Sequence, residues 1–195
     1  MEDARTDNEH GGRRVRRRGI TLYPASGAVD NARSGFRGES HAKPETNAEL
    51  IALNGAGHAL GLQSKLLVRQ TPEEGGFSLL LVWGKPNYPL PRHSHRSDCL
   101  YFIVSGSASM GNVTLRPGDS FFAPEGALYH YTAGPDGVEV LEIRHGVDTI
   151  GTDMADLSPD VIERYWRATE ENRDRWAAME KSPIFAANER PSGEH

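Results

Sequence analysis

Apolar and polar positions divide this chain into three stretches. Up to about residue 45 the sequence is polar, glycine-rich and without period, which predicts a disordered tail. Within it, Ile20-Thr21-Leu22-Tyr23 predicts a short edge strand. From 46 to 150, short apolar runs alternate with turn residues. Strands are expected over 64–70, 77–83, 98–104, 107–110, 113–115, 120–123, 128–132 and 138–144. The run over 77–83 is almost continuously apolar, which suits burial on both faces. Turns are expected at Glu73-Glu74-Gly75-Gly76, Ser105-Gly106, Gly111-Asn112, Arg116-Pro117-Gly118-Asp119, Pro124-Glu125-Gly126 and Gly134-Pro135-Asp136-Gly137. Many short strands at close spacing define an all-β sandwich or barrel. Over 151–182 the period changes. Ser158 is a good N-cap and Pro159 suits the first helical position. Ile162, Tyr165, Trp166, Thr169, Trp176 and Met179 then recur near helical spacing, predicting an amphipathic helix over 159–181. Its tryptophans are expected to pack on the β-domain or on a second subunit. Ser182-Pro183 ends it, and 183–195 is expected to be disordered.

The candidate chemistry lies in the middle stretch. Residues 85–92 hold three prolines and read as an extended loop that delivers His93 and His95. Side chains alternate faces in extended chain, so these two histidines point the same way. Two imidazoles on one face are a ready pair of metal ligands. A usable site needs about three protein ligands with open positions beside them. Cys99 reads either as a thiolate ligand or as a small buried hydrophobe. Tyr101 and Ile103 share its parity. Tyr101 either orients a substrate through its hydroxyl or packs with that hydroxyl satisfied. Asp98 has the opposite parity and reads as a partner fixing an imidazole tautomer or as a loop-end cap. Glu142 completes a two-histidine, one-carboxylate set or pairs with Arg144. His145 reads as a surface residue at a strand end. His10, His41, His58 and His195 are assigned no role.

Two motifs in this region resemble those of the cupin superfamily. His93, His95 and Gly106 fall in place in the first, where Cys99 stands at the family's glutamate. Gly118, Pro124 and Gly126 match the second, where Tyr129 stands at the family's histidine, His130 follows it, and Ala133 stands at the asparagine. The resemblance covers about 60–146. It implies a double-stranded β-helix, or jelly-roll barrel, open at one mouth, with a metal held by histidines inside, and commonly a homodimer. If the second motif keeps its register, Tyr129 faces the interior and His130 faces away; a shift of one residue or a bulge swaps them. His130 as ligand, Tyr129 as ligand, and neither remain open. A divalent metal is the expected cofactor, Fe(II) first, with Mn, Ni or Zn as alternatives.

Three functions fit these residues. The first is a dioxygenase-like oxidoreductase, with metal on His93, His95 and a third group from Cys99, Tyr129, His130 or Glu142, and a small organic substrate in the barrel. The second is a metal-dependent isomerase, lyase or cyclase in which Tyr129, His130 or Glu142 moves a proton. The third is a non-catalytic ligand-binding or regulatory protein. Composition narrows the setting. The net charge of −5 gives no nucleic-acid signal. The run from Arg13 to Arg18 could touch nucleic acid or an acidic surface but is read as a solvated, disordered arm. No apolar run reaches the length of a membrane span, and none follows the arginines as a secretory signal requires. The single cysteine forms no intrachain disulfide. A cytoplasmic location is the expectation.

Overall fold

The computed structural model describes residues 6–7, 14–17, 19–30, 42–145 and 152–187. Arg13, Arg18, His10, His41 and His195, and the expected tail beyond 187, lie outside them. Strands β1 (Thr6–Asp7), β2 (Arg14–Arg17) and β3 (Ile20–Leu22) form a small antiparallel sheet. Arg14 of this sheet pairs with Glu74 at 2.8 Å. The N-terminal stretch expected to be featureless thus contains paired strands, and the expected edge strand is β3.

Helix α1 (Pro44–Gly55) follows β4 (Val29–Asp30). The main sheet is antiparallel and seven-stranded. It contains β4, β5 (Leu62–Arg69), β6 (Phe77–Gly84), β8 (Cys99–Met110), β9 (Val113–Leu115), β10 (Ser120–Ala123) and β11 (Thr132–His145). Its spatial order is β10-β8-β11-β6-β5-β4, with β9 also on β8. A two-stranded sheet joins β7 (His93–Ser94) to β12 (Asp153–Met154). The architecture is therefore mostly antiparallel β, as expected, but backbone pairing among the described residues does not close the main sheet into a ring.

Two expected turns lie inside long strands instead. Ser105-Gly106 sits within β8, and Gly134-Pro135-Asp136-Gly137 within β11, where the pairing shifts register between Ala133 and Val138. The two irregularities face each other. Gly106 has φ +69°, and a Cβ there would lie 2.1 Å from the Gly137 carbonyl oxygen. The expected strand over 128–132 is replaced by a broken ladder. Leu90 N donates to Tyr131 O, Ala133 N to Tyr88 O, and His93 and Tyr129 exchange both bonds at 3.0–3.1 Å. Pro89 and Pro91 have no N–H to fill the gaps.

Alternation along the strands sorts the sheet's two faces. Cys99, Tyr101 and Ile103 of β8, Val140, Glu142 and Arg144 of β11, and Leu80 and Val82 of β6 are all buried. Leu100, Phe102, Phe122 and Ile143, of the opposite parity, are exposed. Helix α2 (Pro159–Ala178) buries Tyr165, Thr169, Asn172 and Trp176, a stripe at i, i+4, i+7 and i+11. Trp176 packs on the β-domain and its Nε1 donates to Pro86 O at 2.8 Å. Arg173 is exposed, which explains why the stripe passes it by. A short helix α3 (Pro183–Ala187) begins where disorder was expected.

His58, assigned nothing from sequence, is buried where three elements meet. Its Nδ1 lies 2.9 Å from Thr169 Oγ1. That hydroxyl donates to Tyr165 O, so the imidazole donates to it. Tyr165 stacks on the ring and Tyr88 packs tilted against it, with centroids at 5.7 and 4.7 Å.

Candidate functional site

His93-Ser94-His95 is clamped from two sides. Tyr129 pairs with His93 on one side and β12 with His93 and Ser94 on the other, while His95 O accepts from Gly126 N at 2.9 Å. Extended backbone then turns both imidazoles inward, as the one-residue spacing predicts. Both are buried, with ring centroids 4.9 Å apart. His93 Nδ1 donates to Pro91 O at 2.6 Å, which leaves Nε2 as the acceptor. Tyr129 Oη lies between the two rings, 2.8 Å from His93 Nε2 and 3.1 Å from His95 Nε2. Tyr101 Oη lies 2.7 Å from the same oxygen. A consistent chain of donors runs from Tyr101 to Tyr129 to His93. Tyr101 is fixed by stacking on Phe121 at 4.3 Å.

Arg144 and Glu142 form a buried ion pair beside these rings. Arg144 Nη2 also donates to His95 Nε2 at 3.1 Å, which makes that nitrogen an acceptor and places the His95 proton on Nδ1. Both residues share parity on β11, opposite Cys99 and Tyr101 of β8. Burial lowers the His93 pKa to about 4, with the nearby guanidinium adding to the effect. It raises Tyr129 well above the ordinary phenol, and the Glu142 charge adds to that. Tyr101 shifts the same way, for the same first cause. Burial opposes the charge on Arg144, but Glu142 holds its pKa above the usual value. At neutral pH the site therefore combines a neutral His93, two protonated tyrosines and a fixed guanidinium.

His93, His95, Glu142 and Arg144 line a cavity of about 710 Å³. Leu62, Leu80, Val82 and Leu90 give it apolar walls, and α1 contributes Asn47, Leu50, Ile51 and Asn54 to the lining. Tyr129 and Tyr101 are buried beside the imidazoles. Lys85 also reaches the lining, but its ammonium caps α2 by donating to Trp176 O and Met179 O at 2.6 and 2.7 Å.

The structure brings His93, His95, Tyr129, Tyr101 and Glu142 together, and leaves His130 out. His130 is exposed and lines a separate groove with Arg92 and Arg164. The second motif keeps its register, so Tyr129 takes the interior position and the expectation of His130 as a ligand is corrected. Cys99 is buried near Tyr101, but its thiol donates to Ser97 O at 3.3 Å and burial raises its pKa away from thiolate. Asp98 accepts from Glu125 N at 2.9 Å and is the loop-end cap. His145 is exposed against Phe77. Sequence reasoning missed Arg144 as a cavity residue. The signal was present, because Glu142-x-Arg144 shares the parity of the interior face.

These donors do not fit the expected divalent metal. Among the described residues no three His, Cys, Asp or Glu side chains are placed to hold one. The third group that meets both imidazoles is a phenol held protonated, the carboxylate is paired with Arg144, and a guanidinium engages the His95 lone pair.

No protein-family model matches the chain, and no curated protein does. Solved structures similar to it include the polyketide cyclase RemF from Streptomyces resistomycificus, at 21% identity over 55% of this chain and 83% of that one, TM-score 0.43. KdgF from Halomonas sp. is similar at 21% identity over 45% and 82%, TM-score 0.38. An RmlC-like cupin from Shewanella frigidimarina is similar at 22% identity over 44% and 76%, TM-score 0.36. None of these likenesses reaches a TM-score of 0.5, and none carries an activity to this chain. Among the described residues no helix is long and apolar enough to cross a membrane.

Proposed function

We propose that the cavity binds a small, largely apolar organic molecule with a carbonyl or enol oxygen, and that the site exchanges a proton with it. The reaction class is that of an isomerase, lyase or cyclase. One observation carries this reading: two buried imidazoles line a cavity of about 710 Å³ beside a buried guanidinium, and the Nε2 atoms of both lie within 3.1 Å of one tyrosine hydroxyl.

The chemistry follows from the partners. A ligand oxygen that takes the Arg144 N–H frees the His95 lone pair to accept a proton from the adjacent carbon. Electron density moves onto the ligand oxygen, where the guanidinium stabilises it. His95 can return the proton to a different carbon. It can also pass it to Tyr129 while Tyr129 gives its own proton to His93, a path of 3.1 and 2.8 Å. The protonated phenol and the neutral His93 are the forms this path needs.

The test is carbon-bound hydrogen exchange in D2O, followed by NMR on a panel of aryl ketones and β-keto esters. Wild type is expected to accelerate exchange, and His95→Ala to lose the acceleration by about 100-fold, the size of a general-base contribution. Equal rates in the two proteins would refute the reading. Stoichiometric iron in anaerobically purified protein, with oxygen uptake on a substrate, would replace it with the dioxygenase expectation. We further propose a homodimer formed on the exposed apolar face of the main sheet.

A further inference from the structure

We propose that the Arg144 guanidinium is a built-in cation that takes the seat a divalent ion would otherwise occupy between Glu142 and His95. The inference rests on this cavity being the functional site, and not on proton transfer within it. One nitrogen carries the argument. Arg144 Nη2 donates both to Glu142 Oε2 and, at 3.1 Å, to His95 Nε2. A single positive centre thus bridges a carboxylate oxygen and an imidazole lone pair, as a metal ion does.

Strand geometry fixes this arrangement. Glu142 and Arg144 share the interior face of β11, opposite Tyr101 and Cys99. All of Glu142, Arg144, His93 and His95 are buried, so water screens none of them well. A guanidinium cannot shed its proton in a protein. An ion entering here would meet that fixed charge at close range and would have to displace it from both ligand atoms. Without the charge, the remaining donors are His93 Nε2, His95 Nε2 and the Glu142 carboxylate. The two imidazole nitrogens already converge on one point, the Tyr129 hydroxyl. Two imidazoles and a carboxylate are a set that first-row divalent ions accept. As they stand, these three donors are not placed to hold an ion, and the Tyr129 hydroxyl fills the point on which the imidazoles converge; with the arginine gone they would have to close on an ion that displaces that hydroxyl.

Cobalt(II) titration at pH 7.5, read by visible absorption and calorimetry, tests this. Arg144→Leu is expected to bind one equivalent on the order of 100-fold more tightly than wild type, and Glu142→Gln or His93→Ala in that background to lose at least about 10-fold, the usual scale for ligand-shell changes. A wild-type protein that binds one His93-dependent equivalent as tightly as Arg144→Leu overturns the proposal. So does a folded Arg144→Leu protein with no gain. Should circular dichroism show that variant unfolded, Arg144→Gln removes the charge but keeps an N–H for Glu142. It is expected to gain affinity in the same direction, and no gain refutes the proposal. Failure of the hydrogen-exchange assay leaves this titration unchanged, so the two readings fall separately.

Discussion

Two buried histidines give the molecule a definite acid response. Burial lowers His58 and His93 to about 4 from an ordinary value of 6.5. In the unfolded chain both take up protons near 6.5. Between pH 6.5 and 4 the unfolded state therefore binds more protons, and stability falls as the pH drops through that window. Each shift corresponds to roughly 3 kcal/mol when the window is fully crossed. Urea midpoints measured from pH 7 to 4 should fall steadily, and a His58→Gln variant should show a shallower decline. A flat profile would mean that these rings are not held neutral. Much of the histidine site was legible from residue parity. One-residue spacing put His93 and His95 on one face, whereas the choice between Tyr129 and His130 for the interior position hung on the second motif's register and stayed open. The pairing of Glu142 with Arg144 was one of the two readings left open. What sequence could not supply was the partner of His95, because the reach of Arg144 to another strand depends on how β7 sits against β11.

The elements were read well where hydrophobic alternation was strong and poorly where turn residues misled. β9 and β10 occupy the expected ranges, 113–115 and 120–123. β8 and β11 were each expected as shorter pieces because Gly106 and Gly137 mark turns in isolation. In the fold they mark a close approach of two strands. Gly106→Ala would drive a Cβ to 2.1 Å from the Gly137 carbonyl at a φ of +69°. It should cost more than about 1 kcal/mol, the scale for alanine forced into this region. A chemical denaturation midpoint equal to wild type would show that β11 can move aside. Helix α1 was not foreseen. Pro44 suits its first turn, but Lys43 makes no side-chain cap and the apolar positions form no clean stripe. Helix α2 was foreseen, although its buried row runs through Asn172, a polar residue whose side chain donates to Ala168 O. Trp176, wholly buried and bonded to Pro86 O, anchors that helix. Trp176→Ala should destabilise by about 3–5 kcal/mol, the range for deleting a large core aromatic. Thermal unfolding monitored at 222 nm would measure it.

At the scale of the whole molecule, the inner face of the main sheet serves the cavity and the outer face remains apolar. Phe122, Leu100, Ile143 and Leu79 are successive cross-strand neighbours, and Phe102 lies in the adjacent row. Four of them, Phe122, Leu100, Ile143 and Phe102, are more than a third exposed. A contiguous patch of this kind suits association. Light scattering after gel filtration should give twice the chain mass for wild type and the single mass for a Leu100→Glu, Phe122→Glu double variant. A monomeric wild type at micromolar concentration would dismiss the proposed dimer. The variant should keep the cavity's properties, since its substitutions project from the opposite side of β8 and β10.

Helix α1 has a second consequence. It lends Leu50 and Ile51 to the lining of the cavity while Leu53 packs, with Tyr165 of α2, in the neighbouring core. A guest long enough to reach Leu50 from Arg144 would fasten the helix to the wall from within. Occupancy would then register as slowed backbone amide protection loss across 47–54, a signal that reports loading of the pocket before any product has been identified.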